Sequence, residues 1–233
     1  MTAGYAFDLS GARLVALPSG ALHWPGRGLL VVSDLHLGRS ARLARRGGAL
    51  LPPYEGAETL ARLAAEIAAT APAGVICLGD SFDDAAGAVA PDAADCAALG
   101  AMMRGRDWVW IAGNHDPGPV AVGGRPLPEL RVGPLVFRHQ AQASARGEVS
   151  GHFHPKARMV LAGQRIARRC FMVDSNRVIL PAFGAYTGGL SCDDPAVAGL
   201  MGPDAVAVLC GSRALAVAMP RRKGPLPRQA ASP

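Results

Sequence analysis

A chain of 233 residues, half of them hydrophobic, can bury a sizeable core and is long enough for one large domain or two small ones. Its net charge is +6, and every cation except Lys156 and Lys223 is an arginine, whose planar fork suits phosphate. No stretch approaches the ~20 apolar residues of a bilayer span, and MTAGYAFDLSGAR at the N-terminus lacks a basic and an apolar leader region, so no membrane partner is expected and the cytoplasm is the expected setting. Five scattered cysteines without a CxxC pair argue against a disulfide framework or a cysteine-rich zinc site, and predict buried thiols.

In chain order, the N-terminus reads as a small β-meander turning at Ser10-Gly11 and Ser19-Gly20. Apolar runs that close on polar or small residues predict buried strands: LLVVSD (29–34), GVICLGD (74–80), WVWIAGN (108–114) and PLVFRH (134–139). Between the first two, Leu60, Leu63 and Ile67 recur at helical spacing and Glu58 can pair with Arg62, which makes a β-α-β unit. A second helix is predicted over about 92–104, with Leu99 and Met103 on one face and Asp92 and Asp95 solvated. Further strands are predicted at 177–183, 205–210 and 214–218. The domain is expected to span 1–219, followed by a basic, Pro-rich, disordered tail over 220–233.

Chemistry-capable side chains gather at the ends of these strands: SDLHLG (33–38), LGDSFDD (78–84), GNHDP (113–117), Arg138-His139 and GHFHP (151–155). In an open α/β sheet, ligands collect outside the carboxyl ends of strands, so the pieces would converge. Asp34 and His36, alternating on an extended segment, could face the same way and bind one ion. Asp80 is the natural bridge to a second ion, Asn114 offers an amide oxygen, and His139, His152 and His154 supply imidazoles. A pair of ions ~3.5–4 Å apart would polarise a phosphoryl group and hold a bridging hydroxide as nucleophile. His115 suits a general acid, with Asp116 placed to orient it. Asp83 and Asp84 read as a turn or helix cap. Any one of these motifs is weak alone; five of the six histidines falling in strand-end pieces is the signal.

The order DxH, GDxxD, GNHD, H, GHxH resembles the calcineurin-like metallophosphoesterase superfamily. The resemblance implies a four-layer α/β/β/α sandwich with a dimetal site at the sheet ends. By motif it implies that Asp34, His36, Asp80 and His154 hold one metal, that Asp80, Asn114, His139 and His152 hold the other, and that His115 is the catalytic histidine. ARLARRGGALLPPYEG (41–56) and LPAFGAYTGGL (180–190) look like the bacterial ligase-associated DNA-damage-response phosphoesterases, the PdeM group. That narrower likeness implies a DNA endonuclease or phosphodiesterase acting in repair, associated with a ligase, a helicase and a nuclease. A shell of His, Asp and Asn suits Mn, Fe, Zn or Co, and two manganese ions are the expectation.

For a polyanionic substrate, Arg39, Arg45 and Arg46 border the first metal motif, and Arg165, Arg168 and Arg169 form a second cluster. Tyr186, among glycines in GAYTGGL, is the aromatic expected to meet substrate. Two rival functions remain open at this point. One is hydrolysis of a small phosphodiester or nucleotide-linked lipid precursor; the other is a non-catalytic protein-binding scaffold on the same fold.

Overall fold

The protein's computed structural model describes residues 4–45, 47, 54–84, 92–116, 122–161 and 163–221. The chain opens with three antiparallel strands, β1 (Tyr5–Leu9), β2 (Ala12–Ala16) and β3 (Leu22–Trp24). The β1–β2 turn is two residues long, with Ser10 at φ 49 and Gly11 at φ 84. Both angles are positive, as a tight hairpin demands. Strand β4 (Leu29–Val32) joins this meander antiparallel, and β5 (Gly74–Leu78), β6 (Asp107–Ile111) and β7 (Arg125–Leu127) follow in parallel. Their near-continuous apolar sequences fit strands covered on both faces.

The second sheet contains β8 (Glu129–Val132), β9 (Leu135–Arg138), β10 (Glu148–Ser150), β11 (Lys156–Leu161), β12 (Gln164–Val173), β13 (Arg177–Ile179), β14 (Val206–Leu209) and β15 (Leu215–Ala218). Its order is β15-β14-β12-β13-β10-β9-β8, with β11 paired to the outer part of β12. The sheets face each other across one core: Leu14, Val31, Ile76 and Val109 from the first meet Phe137, Val149, Phe171 and Val208 from the second. Burying each such side chain contributes ~1.5–3 kcal/mol.

Helices α1 (Arg39–Arg45), α2 (Glu55–Thr70) and α3 (Ala93–Met103) lie between strands of the first sheet, and its outer face is covered by α2 and α3. The apolar stripe of α2, Leu60, Leu63 and Ile67, packs there with Leu99 and Met102 of α3. Outside the second sheet, the short α4 (Pro195–Ala198) and its flanking loops bury Cys192, Val197 and Met201 against Cys170 and Met172. These layers make the expected α/β/β/α sandwich.

Some local expectations change. Met102 takes the buried place expected of Met103, and the strand expected over 177–183 ends at Ile179. Asp92 caps α3 by accepting from the Ala94 and Asp95 N–H groups, while Asp95 is half-buried, its pKa raised by burial and by Asp92 and Glu55. Helix α1 and the β11–β12 ribbon carried no periodicity strong enough to predict. At the last described position, Arg221 is docked on the carbonyls of Ala198 and Gly202. The expected tail from 222 onward lies outside the described residues.

Candidate metal centre

Strands β4, β5 and β6 end side by side, and the loops beyond them remain joined. Asp34 N–H donates to the Gly79 carbonyl at 3.2 Å, His36 N–H to Asp80 at 3.0 Å and Leu37 N–H to Ser81 at 2.9 Å. The second sheet contributes His139 just after β9 and the 151–154 segment after β10, linked by Gly151 N–H to the His139 carbonyl at 2.9 Å. The loop after β13 closes the rim, with Phe183 and Gly184 donating to the carbonyls of Ser33 and Asp34.

Ligand atoms converge in two trios, Asp34/His36/His154 and Asp80/His139/His152, the atoms of each lying within 4.8 Å of one another. In the first, His154 Nε2 is 3.1 Å from Asp34 Oδ1 and 3.4 Å from His36 Nε2. In the second, His139 Nε2 is 3.1 Å from His152 Nδ1 and 3.5 Å from Asp80 Oδ2. Asp34 Oδ2 also accepts from the His152 N–H at 3.0 Å, so this carboxylate touches both halves.

The backbone achieves this convergence in an unexpected way. Asp34 and His36 lie beyond β4 and both have positive φ, 54 and 49, so strand alternation does not align them. Asp80, His152 and His154 are also left-handed, which puts five of the eight described non-glycine residues with positive φ in the two trios. Such conformations cost on the order of 1–3 kcal/mol each and persist where surrounding bonds over-determine them. The inter-loop ladder supplies those bonds.

Each imidazole with a clear outer partner has its inner nitrogen defined. His139 Nδ1 meets the Leu78 carbonyl at 2.8 Å, which leaves Nε2 facing Asp80 and His152. His36 Nδ1 meets Asp83 Oδ1 at 2.9 Å, which aims Nε2 at His154. Asp83 was expected to be only a cap or turn residue. Instead it is buried, and it also holds the Arg42 Nε, with Arg39 Nη1 3.8 Å away. Ser40 ties this arrangement to α2 through Glu55, donating from its N–H at 2.8 Å and its hydroxyl at 2.6 Å. No local spacing signalled this relay, because it depends on how α1 packs.

The electrostatics agree with a centre built for cations. Burial alone would raise the carboxyls of Asp34 and Asp80; His154, His139 and Ser33 hold Asp34 below the usual range, and His139 with the His115 N–H holds Asp80 well below it. Burial would lower His139, but Asp80 and Asp34 raise it to about 9. His152 is lowered by burial and by the adjacent His139. A proton on His139 thus neutralises acids that a metal could neutralise. The inward-facing imidazole lone pairs and two anionic carboxylates fit divalent metal as a donor set.

His115 stands at the rim, its side chain 42% exposed. Its N–H donates to Asp80 Oδ1 at 2.9 Å, Nδ1 lies 3.1 Å from the Asp83 carbonyl and Nε2 lies 3.9 Å from Asp80 Oδ2. Asp116 was expected to orient this ring. Its carboxylate instead accepts from Ser81 and Phe82 N–H at 2.7 and 3.0 Å, holding the 80–82 loop, and burial raises its pKa to about 6. Asn114 is exposed beside His115 on the same turn. Of the expected substrate contacts, Arg39 is turned partly toward Asp83 and Tyr186 is 55% exposed on the rim loop. The side chain of Arg45 and the whole of Arg46 lie outside the described residues.

Residues 28–161, more than half of the chain, match the family of calcineurin-like phosphoesterases. The chain belongs to that family. As a calcineurin-like phosphoesterase it is a metal-dependent hydrolase, and the scaffold reading is set aside. Among solved structures it is similar to the Pseudomonas putida nuclease MPE, with 28% identity and a TM-score of 0.73 over 92% of this chain and 100% of that one. No curated protein matches the chain.

Proposed function

We propose that this phosphoesterase is a dinuclear phosphodiesterase that cleaves DNA. The observation carrying this reading is the pair of converging trios with His115 beside them, in a chain similar to a nuclease along its length. Asp34, His36 and His154 would hold one ion and Asp80, His139, His152 and Asn114 the other, with Asp80 shared between them as the sequence motifs imply; manganese is the proposed ion. When bound, two such ions supply Lewis acidity toward the phosphoryl oxygens and lower the pKa of water.

The chain's own contribution is positioning and proton transfer. His115 Nδ1 donates to the Asp83 carbonyl, leaving Nε2 toward the cleft. His115 gives its Nε2 proton to the departing sugar oxygen as the oxygen of a water molecule, its proton passing to solvent, bonds to phosphorus on the opposite side and the ester bond breaks. Asp80 accepts the His115 N–H and so fixes the acid relative to the trios. DNA repair alongside a ligase, a helicase and another nuclease is the proposed setting, supported by the sequence resemblance of residues 41–56 and 180–190.

The test is to incubate manganese-loaded protein with bis-p-nitrophenyl phosphate, p-nitrophenyl phosphate and labelled DNA, beside Asp80→Ala and His115→Ala. Cleavage of the diester and of DNA, lost in both variants, is expected. Preference for the monoester, or full activity in Asp80→Ala, would refute the diesterase, and cleavage of the small diester alone would move the substrate to a small phosphodiester.

A further inference from the structure

The β11–β12 ribbon extends beyond the main sheet. Its register pairs Lys156 with Arg169, Arg158 with Ala167 and Val160 with Arg165, while Ala157 with Arg168 and Met159 with Ile166 alternate between them. Directly opposed residues share a face, so the ribbon has two unlike sides. Ala157 and Met159 turn one side onto the apolar cluster outside the second sheet. The other side carries Lys156, Arg158, Arg165 and Arg169, and at its outer end Arg158, Val160, Arg165 and Ala167 are exposed. The arginine cluster visible in the sequence is thereby split, with Arg168 on the opposite side from Arg165 and Arg169.

No acidic residue occurs between Pro155 and Val173. At the base of the cationic side, Lys156 Nζ donates to the Thr187 carbonyl at 3.0 Å and Arg169 to Ala182 at 2.9 Å. These partners are neutral carbonyls, which carry no counter-charge of their own. Arg62 adds another guanidinium on the Phe183 carbonyl, with Glu58 3.7 Å away as the nearby acid.

Three clefts share walls here, the second also touching Arg168 and the third Met159 and Ile166 from the other side of the ribbon. One of about 260 Å³ lies between Arg62, Arg169 and the Gly184–Thr187 loop. A second, about 380 Å³, shares Arg62 and Arg169 and reaches Ala167. A third, about 540 Å³, shares Ala167 and is bordered by Arg158, Val160 and Arg165. The first begins on the loop whose Gly184 N–H is bonded to the Asp34 carbonyl, so the trench starts at the wall of the metal centre.

We infer that this trench and the cationic side of the ribbon form a docking rail for the sugar-phosphate backbone of a nucleic acid strand. The inference rests on the nuclease reading and names where that substrate lies beyond the scissile bond. Arginine forks pair with phosphate oxygens in a bidentate manner, and a row of them positions a strand without reading its bases. Tyr186, exposed at the inner end of the trench, offers one stacking surface next to the centre.

The experiment measures binding of fluorescent single-stranded and duplex oligonucleotides to the full-length, manganese-loaded His115→Ala protein, which keeps the strand uncut. Adding Arg158→Ala and Arg165→Ala is expected to weaken binding on the order of ten-fold and to make the salt dependence shallower by roughly one to two charges. Arg158→Lys with Arg165→Lys retains most of the binding and its salt dependence. Arg13→Ala with Arg131→Ala, which removes two exposed cations from other strands, leaves both unchanged. Binding unaltered by the ribbon alanines, or an equal loss in the Arg13/Arg131 control, overturns the rail. Should the wild type cleave no diester while the ribbon alanines still weaken strand binding about ten-fold, the proposed reaction fails and the rail stands.

Discussion

The two halves of the candidate metal centre are positioned by different means. In the Asp80/His139/His152 half, His139 is aimed by the carbonyl of Leu78, the last residue of a central parallel strand. In the Asp34/His36/His154 half, His36 is aimed by a carboxylate, Asp83, which α1 reaches through Arg42 and which α1 can reach because Ser40 is anchored on Glu55 of α2. One half is fixed by the sheet itself; the other depends on a chain of side chains from outside it. The second can therefore be disturbed while the sheet stays intact.

His115 reports on both halves, because its N–H rests on Asp80 and its ring on the Asp83 carbonyl. His115→Ala should lower kcat on a diester by about 10²–10⁴-fold, the usual share of a general acid, while metal content measured by mass spectrometry stays at the wild-type level. Loss of an ion as well would make His115 a ligand rather than an acid.

Asp83→Asn separates the halves. It should weaken one manganese site by about 10–100-fold, as expected for loss of a group that orients a ligand, and leave the other at its wild-type affinity in a calorimetric titration. Equal weakening of both would erase the distinction drawn above. Gly79→Ala is the converse perturbation. Its Cβ would lie 2.5 Å from His139 Nδ1 at a backbone φ of +76, so the strand-held half should lose its ion and the fold about 1–3 kcal/mol in denaturant. Gly151→Ala drives a Cβ into Ser33 Oγ and toward Asp34 Oδ2 and should strike the opposite half first.

The smallest effect is on pH. In metal-free protein His139 is raised from 6.5 to about 9, so its contribution to stability is complete below pH ~6.5 and is lost as pH climbs toward 9. A metal held by His139 would displace that proton. The melting temperature in EDTA should fall across this window, whereas that of manganese-loaded protein should show no such fall; parallel slopes would place the proton elsewhere.

Much of this centre was legible from residue types at strand ends. Apolar runs closing on Asp, Asn or His marked β4, β5, β6 and β9, and parallel pairing then brought Asp34, Asp80 and His115 together, as sheet order requires. What could not be read depends on contacts distant in sequence or on backbone angles. DxH suggests an extended pair, yet Asp34 and His36 converge through left-handed residues locked by the 79–81 loop. Asp83 looked like a capping residue because its partners, His36 and Arg42, arrive over 40 positions earlier in the chain. Asp116 neighbours His115 in sequence but points into the 80–82 loop. The basic cluster at 165–169 divides only once strand register is known.

The central claim is that two trios hold two separate ions. Anomalous diffraction from manganese-loaded crystals of the wild type, His36→Ala and His139→Ala tests it directly. Two peaks are predicted in the wild type, with the peak beside Asp34 and His154 lost in His36→Ala and the peak beside Asp80 and His152 lost in His139→Ala. A single wild-type peak, or loss of the same peak from both variants, would contradict the account.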